Sequence, residues 1–177
     1  MKNIFRVVLL LFIAGLIFRF SSQTYNQQSL VPLMMRVFPG EPFAEVLGRL
    51  ELSYAGMVIS VESIGYYYFI EFFIRKFAHL FLFGCLAAAL FGVLVVWRPK
   101  EVWKSAVWAL VGTGLYATAD EFHQMLTGGR SPLVTDVFID LTGGLITLFM
   151  VVPLYVWKRR ITKEEVMKLA DFFVKRY

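Results

Sequence analysis

DEFHQMLTGGRSPLVTDVFID, residues 120–140, sits between two strongly apolar stretches. In twenty-one residues it carries Asp120, Glu121, Asp136 and Asp140, together with His123, Gln124 and Arg130. Ionisable groups at membrane depth are costly, so they face a protein interior or a cavity and mark a site. If the flanking stretches are membrane helices, this segment is where two of them meet, and its polar groups need shelter from further helices.

The composition supports that premise. Of 177 residues, 58% are hydrophobic and 17% aromatic, and only 18% are charged. An average soluble domain is nearer half apolar and a quarter charged. The mean hydropathy of +0.65 points the same way. The formal net charge of +5 does not indicate nucleic-acid binding, because the basic residues cluster beside apolar runs. Cys85 is the lone cysteine, which leaves no intramolecular disulfide, and it reads as a small packing residue.

Outward from 120–140, the apolar pattern predicts an all-α integral membrane bundle of four transmembrane helices. Their spans are about 4–20, 77–97, 102–119 and 134–157. The first has Lys2 before it, Arg6 and Arg19 snorkelling outward near its ends and no small-residue cleavage site after it, so it reads as an uncleaved span. In the second, Gly84, Ala88 and Gly92 recur every fourth residue, a small-residue stripe suited to close helix packing. The fourth opens with Ser131 as N-cap and Pro132 at the first helical position, and Pro153 would kink its far end.

Residues 21–75 form a long outer loop. Within it, Pro39-Gly40-Glu41-Pro42 predicts a turn, 43–52 a short amphipathic helix and 53–61 a small hairpin about Gly56. Tyr66, Tyr67 and Tyr68 suit a membrane–water interface, where the second helix would begin. After Lys158-Arg159-Arg160, residues 158–177 read as a separate amphipathic tail helix with Thr162 and Glu165 as a capping box. That tail would lie on an anionic leaflet or bind a partner. The domain boundary therefore falls between 1–157, the membrane domain, and 158–177. Lys2, Arg6, Arg98, Lys100, Lys104 and 158–160 all fall on one side of four spans, which makes that side, with both termini, cytoplasmic.

Helical spacing gathers a candidate site at the opposite side. Arg75 and Lys76 lie four and three residues before His79. Tyr116, Asp120 and Gln124 are successive fourth residues, and so are Asp136 and Asp140. Gly128-Gly129 returns the chain at once, with Arg130 at the mouth. The candidate ligand-binding set is Arg75, Lys76, His79, Asp120, Glu121, His123, Gln124, Arg130, Asp136 and Asp140.

Arg75-Lys76-x-x-His79, Asp120-Glu121-x-His123-Gln124, Gly129-Arg130 and Asp136 followed by Gly143 resemble the VanZ-like membrane protein family, and Ser21-Ser22-Gln23 fits the same pattern. The resemblance covers most of 4–157 and excludes the tail. Asp140 stands where the family often has Asn, and Phe83 where a polar or Tyr side chain is common. The resemblance implies a cell-envelope protein of the bacterial plasma membrane, of the kind associated with teicoplanin resistance. It does not supply a reaction.

Four readings of the site stand side by side. One is an internal ion-pair cluster, acids against Arg75, Lys76 and Arg130. Another is an outward pocket in which those cations take a phosphate or carboxylate, from a lipid-linked cell-wall precursor or a lipoglycopeptide. A third is a lipid-phosphate hydrolase or transferase using His79, Asp120, Glu121 or His123. The fourth, a metal site, lacks any His-Glu-x-x-His-like spacing. The non-enzymatic readings are favoured, with no cofactor and no metal, and with membrane lipids as surroundings. A transport path is not visible, because the far halves of the spans are apolar.

Overall fold

The computed structural model describes residues 2–128 and 133–174. Four long helices dominate: α1 (Lys2–Ser21), α5 (Tyr66–Trp97), α6 (Val102–Gly128) and α7 (Val134–Val174). Between α1 and α5 lie α2 (Val31–Val37), α3 (Ala44–Leu47), strands β1 (Glu51–Tyr54) and β2 (Met57–Ser60), and α4 (Val61–Ile64).

The bundle is built around α5, which packs against α1, α6 and α7. Two apolar clusters hold it. Ala87, Phe91 and Val95 of α5 meet Ala109 of α6 and Leu148 and Val152 of α7. Nearer the other end, Phe83 and Leu86 meet Ile17 of α1 and Ala117 of α6. The Tyr116 hydroxyl donates to the Ala14 carbonyl at 2.7 Å, which ties α6 to α1. Large apolar side chains such as Phe12, Phe81, Leu115, Phe138 and Phe149 point outward and are exposed. A surface of that kind suits hydrocarbon, and helices satisfy their own backbone groups there.

Three helical stretches are long and apolar enough to cross a membrane: Asn3–Ser21, Tyr66–Trp97 and Val134–Glu165. Helix α6 is 27 residues long but less apolar than these, because Lys104, Ser105, Gly112, Thr113, Gly114 and Thr118 interrupt it.

The connection between α1 and α5 is more ordered than a loop. The hairpin expected about Gly56 is present, paired antiparallel from Glu51↔Ser60 to Tyr54↔Met57. Ala55 and Gly56, at φ 52° and 81°, form its turn. A two-residue hairpin turn of this hand needs positive φ at both positions. Ser60 then caps α4 through a reciprocal pair with Ser63.

Several local expectations are corrected. The helix expected over 43–52 shrinks to Ala44–Leu47, because Glu51 and Leu52 are taken by β1. The tail is not a separate helix: α7 continues unbroken to Val174, with Pro153 inside it. Thr162 accordingly donates to the Lys158 carbonyl at 3.0 Å, a mid-helix bond and not an N-cap. Of the small-residue stripe, Gly84 packs tightly on Thr147 and Gly143, whereas Gly92 has open space beside it. The Gly92 carbonyl instead accepts from Arg6 at 3.0 Å.

Candidate functional site

The contact between Arg6 and Gly92 puts the start of α1 beside the end of α5. At the other end of the bundle, Thr127 of α6 donates to the Ser21 carbonyl at 3.2 Å. The long helices therefore alternate in direction. The basic flanks gather at one end, and the acid-rich segment of the sequence gathers at the other.

At that acid-rich end is a cavity of about 780 Å³. It lies among the end of α1, residues 23–30, the hairpin, α5, the end of α6 and the start of α7. Arg75, Lys76, His79, Glu121, Gln124, Asp136 and Asp140 all line it, so the structure brings together seven of the residues expected from spacing. Apolar side chains, among them Phe20, Leu30, Ile59, Phe72, Leu82 and Ile139, share the rest of the wall with Gln23, Gln27, Gln28, Tyr25 and Tyr54.

The polar groups fall into distinct pairs. Lys76 pairs with Asp136, which also accepts from the Tyr54 hydroxyl. The Lys76 ammonium also sits 4.5 Å from the centre of the Tyr54 ring. Burial, the hydrogen bond to Asp136 and the Asp136 charge together hold the Tyr54 phenol well above its ordinary pKa, so it stays a donor. His79 Nδ1 lies 3.4 Å from Asp140 Oδ1. Asp140 is 1% exposed, and neither of its carboxylate oxygens has a hydrogen-bond partner among the described residues. Glu121 accepts from the Leu133 amide at 3.0 Å, holding the start of α7 to α6.

Arg75 makes no ion pair with the described acids of α6 and α7. It donates to Glu71 at 2.9 Å, to Gln28 at 3.0 Å and to the Tyr25 carbonyl at 3.1 Å, while stacking over the Tyr25 ring. Glu71 is fully buried and also accepts from the Leu30 amide at 2.7 Å. Glu71 and Tyr54 are the two important residues that spacing alone did not select. Glu71 lies four residues before Arg75, the i,i+4 signal of a helical pair. With the helix beginning at the Tyr66–Tyr68 cluster, as expected, that spacing is legible in the sequence.

Two expected residues stand apart from the cavity wall. Asp120 is buried and accepts from Gln124 at 2.8 Å within α6. His123 is stacked on Phe18 of α1 with ring centres 4.4 Å apart. Arg130, with Gly129, Ser131 and Pro132, lies outside the described residues. Among the described residues, no three His, Cys, Asp or Glu side chains converge as metal ligands would.

The fold and the cavity define a helical membrane protein with a sheltered polar chamber at one end. Residues 5–157 match the VanZ/LLP1 family model, and the chain belongs to that family. No curated protein and no solved structure matches it.

Proposed function

We propose that this VanZ/LLP1 protein crosses the bacterial plasma membrane four times, through α1, α5, α6 and α7, with both termini in the cytoplasm. Residues 1–157 would form the membrane domain and 158–177 a cytoplasmic extension. Helix α6 supports the fourth crossing: its 27 residues span roughly 40 Å, and it turns Trp108 and Leu115 outward. The basic flanks at the opposite end from the cavity support the orientation.

In this reading the cavity is an outward-facing pocket for the headgroup of a lipid-tailed ligand. A lipid-linked envelope precursor or a lipoglycopeptide fits, and binding it contributes to teicoplanin-type resistance. The observation that carries the reading is Asp140, buried beside His79 in the wall of a cavity whose lining mixes charged, amide and apolar side chains. Unsatisfied buried acceptors are expensive and favour a donor that fills them. The charge pairing refines the ligand. Arg75 and Lys76 are already engaged by Glu71 and Asp136, so a bare anion would have to displace a carboxylate. A headgroup that combines an anionic group with hydroxyl or amine donors meets both the cations and the acids, and such headgroups are usual on lipid-linked glycans and glycopeptides.

A second reading, an enzyme acting on a lipid phosphate, rests on the same pair. His79, with Nδ1 3.4 Å from the Asp140 carboxylate, is an imidazole beside an acid, the pairing a general base uses. His123 has no such place, because its ring is packed on Phe18.

The test is binding of a fluorescent lipid-tailed glycopeptide to the protein in lipid nanodiscs. Binding by the parent chain that drops at least tenfold in His79→Ala and Asp140→Asn, with insertion and melting preserved, supports the pocket. Equal binding by parent and variants, or variants that only unfold, makes the cluster structural. Release of phosphate from a lipid phosphate that stops in His79→Ala selects the enzyme.

A further inference from the structure

The opposite end of the bundle holds a second, wholly different cleft. It measures about 310 Å³ and lies between the start of α6 and α7, lined by Lys100, Arg159, Arg160 and Lys163 together with Val102 and Val156. Of the carboxylates near the cleft in sequence, Glu101 is taken by Arg98 at 4.0 Å and Lys104 at 3.4 Å, and Glu164 and Glu165, which follow Lys163, pair with no cleft cation among the described residues. Among the described residues, none of the four cleft cations has a carboxylate within ion-pair distance. Arg159 is fixed by a bond to the Pro99 carbonyl, which ties α7 to the turn before α6.

Position makes this more than a solvated basic face. Trp97 ends α5, Trp103 sits in the first turn of α6, and Trp157 precedes Arg159 on α7. All three are more than 60% exposed, at 74%, 68% and 64%. Outward tryptophans mark the headgroup level of a bilayer. In a bundle that crosses the membrane as proposed, the cleft lies at headgroup level, with four cations and two valines in its lining. Because α7 continues unbroken, these cations form a collar at the helix exit and do not spread along a separate surface helix.

We propose that this cleft is a binding site for the phosphate headgroup of an anionic phospholipid, held by Lys100, Arg160 and Lys163 with Arg159 as the fixed wall. Four uncompensated cations about one cleft attract a phosphodiester, and basic pockets between helices on the positive side of a bundle are suited to such headgroups. The two valines meet the first carbons of the acyl chains. The site is independent of the acid-rich cavity and does not need that cavity to bind anything.

The experiment is native mass spectrometry of the full chain released from nanodiscs of equal phosphatidylglycerol and phosphatidylcholine. The expected result is retained phosphatidylglycerol on the parent chain and roughly tenfold less on Arg160→Gln/Lys163→Gln. Lys104→Gln, whose partner is Glu101, should retain as much as the parent. Melting in pure phosphatidylcholine reports folding, and a second double variant, Lys100→Gln/Lys163→Gln, replaces the first if that one melts early. Equal retention of both lipids by the parent chain, or unchanged retention by folded cleft variants, overturns the proposal. Competition by millimolar inorganic phosphate or glycerol phosphate as strong as that by the lipid overturns it too, in favour of a soluble anion.

Discussion

Gly143 of α7 meets Leu80 of α5 so closely that a β-carbon on it would lie 2.0 Å from the Leu80 carbonyl oxygen. Leu80 follows His79, and Gly143 lies one helical turn beyond Asp140. The crossing of these two backbones therefore sets the separation of the His79–Asp140 pair. Gly143→Ala cannot be absorbed by a rotamer change, because the obstacle is backbone. It should cost about 3 kcal/mol and lower the melting temperature in detergent. Gly92→Ala, with nothing within 4 Å of the added carbon, should raise it slightly, by about 1 kcal/mol or less. Equal effects of the two would mean that α5 and α7 do not cross there.

Glu71 anchors residues 28–30 to α5 through the Leu30 amide, Ser29 and Arg75. Glu71→Gln keeps the shape but loses the charge that Arg75 needs. We expect about 2 kcal/mol of lost stability. Hydrogen exchange should rise first over 22–30, while the amides of the long helices keep their protection.

Tyr54→Phe removes the hydroxyl that joins the hairpin to Asp136. Limited proteolysis between 51 and 60 should become faster, for a local cost of about 1 kcal/mol. The pH dependence has a definite sign. The folded phenol is raised above the ordinary value of about 10. Below that pH both folded and unfolded phenols are protonated, and the contribution is whole. As the pH rises past it, the unfolded phenol ionises first and the contribution drains away. The melting difference between parent and Tyr54→Phe should therefore shrink above pH 10, and a difference that grows there would contradict the hydrogen bond.

The two histidines should behave differently. His79→Ala changes the cavity wall, whereas His123→Ala removes a stack on Phe18. The second should cost about 1 kcal/mol of stability and leave glycopeptide binding within twofold of the parent. A binding loss in His123→Ala equal to that in His79→Ala would place the ligand elsewhere.

Much of this architecture is written in local pattern. The apolar runs mark the long helices, and fourth-residue spacing places Asp136, Asp140, Asp120 and Gln124 at one end. What spacing does not carry is which partner each charge takes. Spacing puts Arg75 near the acids of 120–140, yet it pairs with Glu71, four residues before it on α5, and with the backbone of 25. Tyr54 reaches Asp136 across 82 residues of sequence, a contact no local rule reports. The unbroken α7 was also hidden, since Thr162 and Glu165 match a helix start as well as a helix interior.

The partner of Lys76 arrives late. Asp136 is made 60 residues after it, which at about 5–20 residues per second is a delay of roughly 3–12 s. Through that interval the emerging α5 holds a cation with no counter-charge, and His79 waits as long for Asp140. Closing of the Lys76–Asp136 and His79–Asp140 pairs must therefore wait for synthesis of α7. A chain stalled before 136 should remain within reach of the insertion machinery and its quality-control proteases.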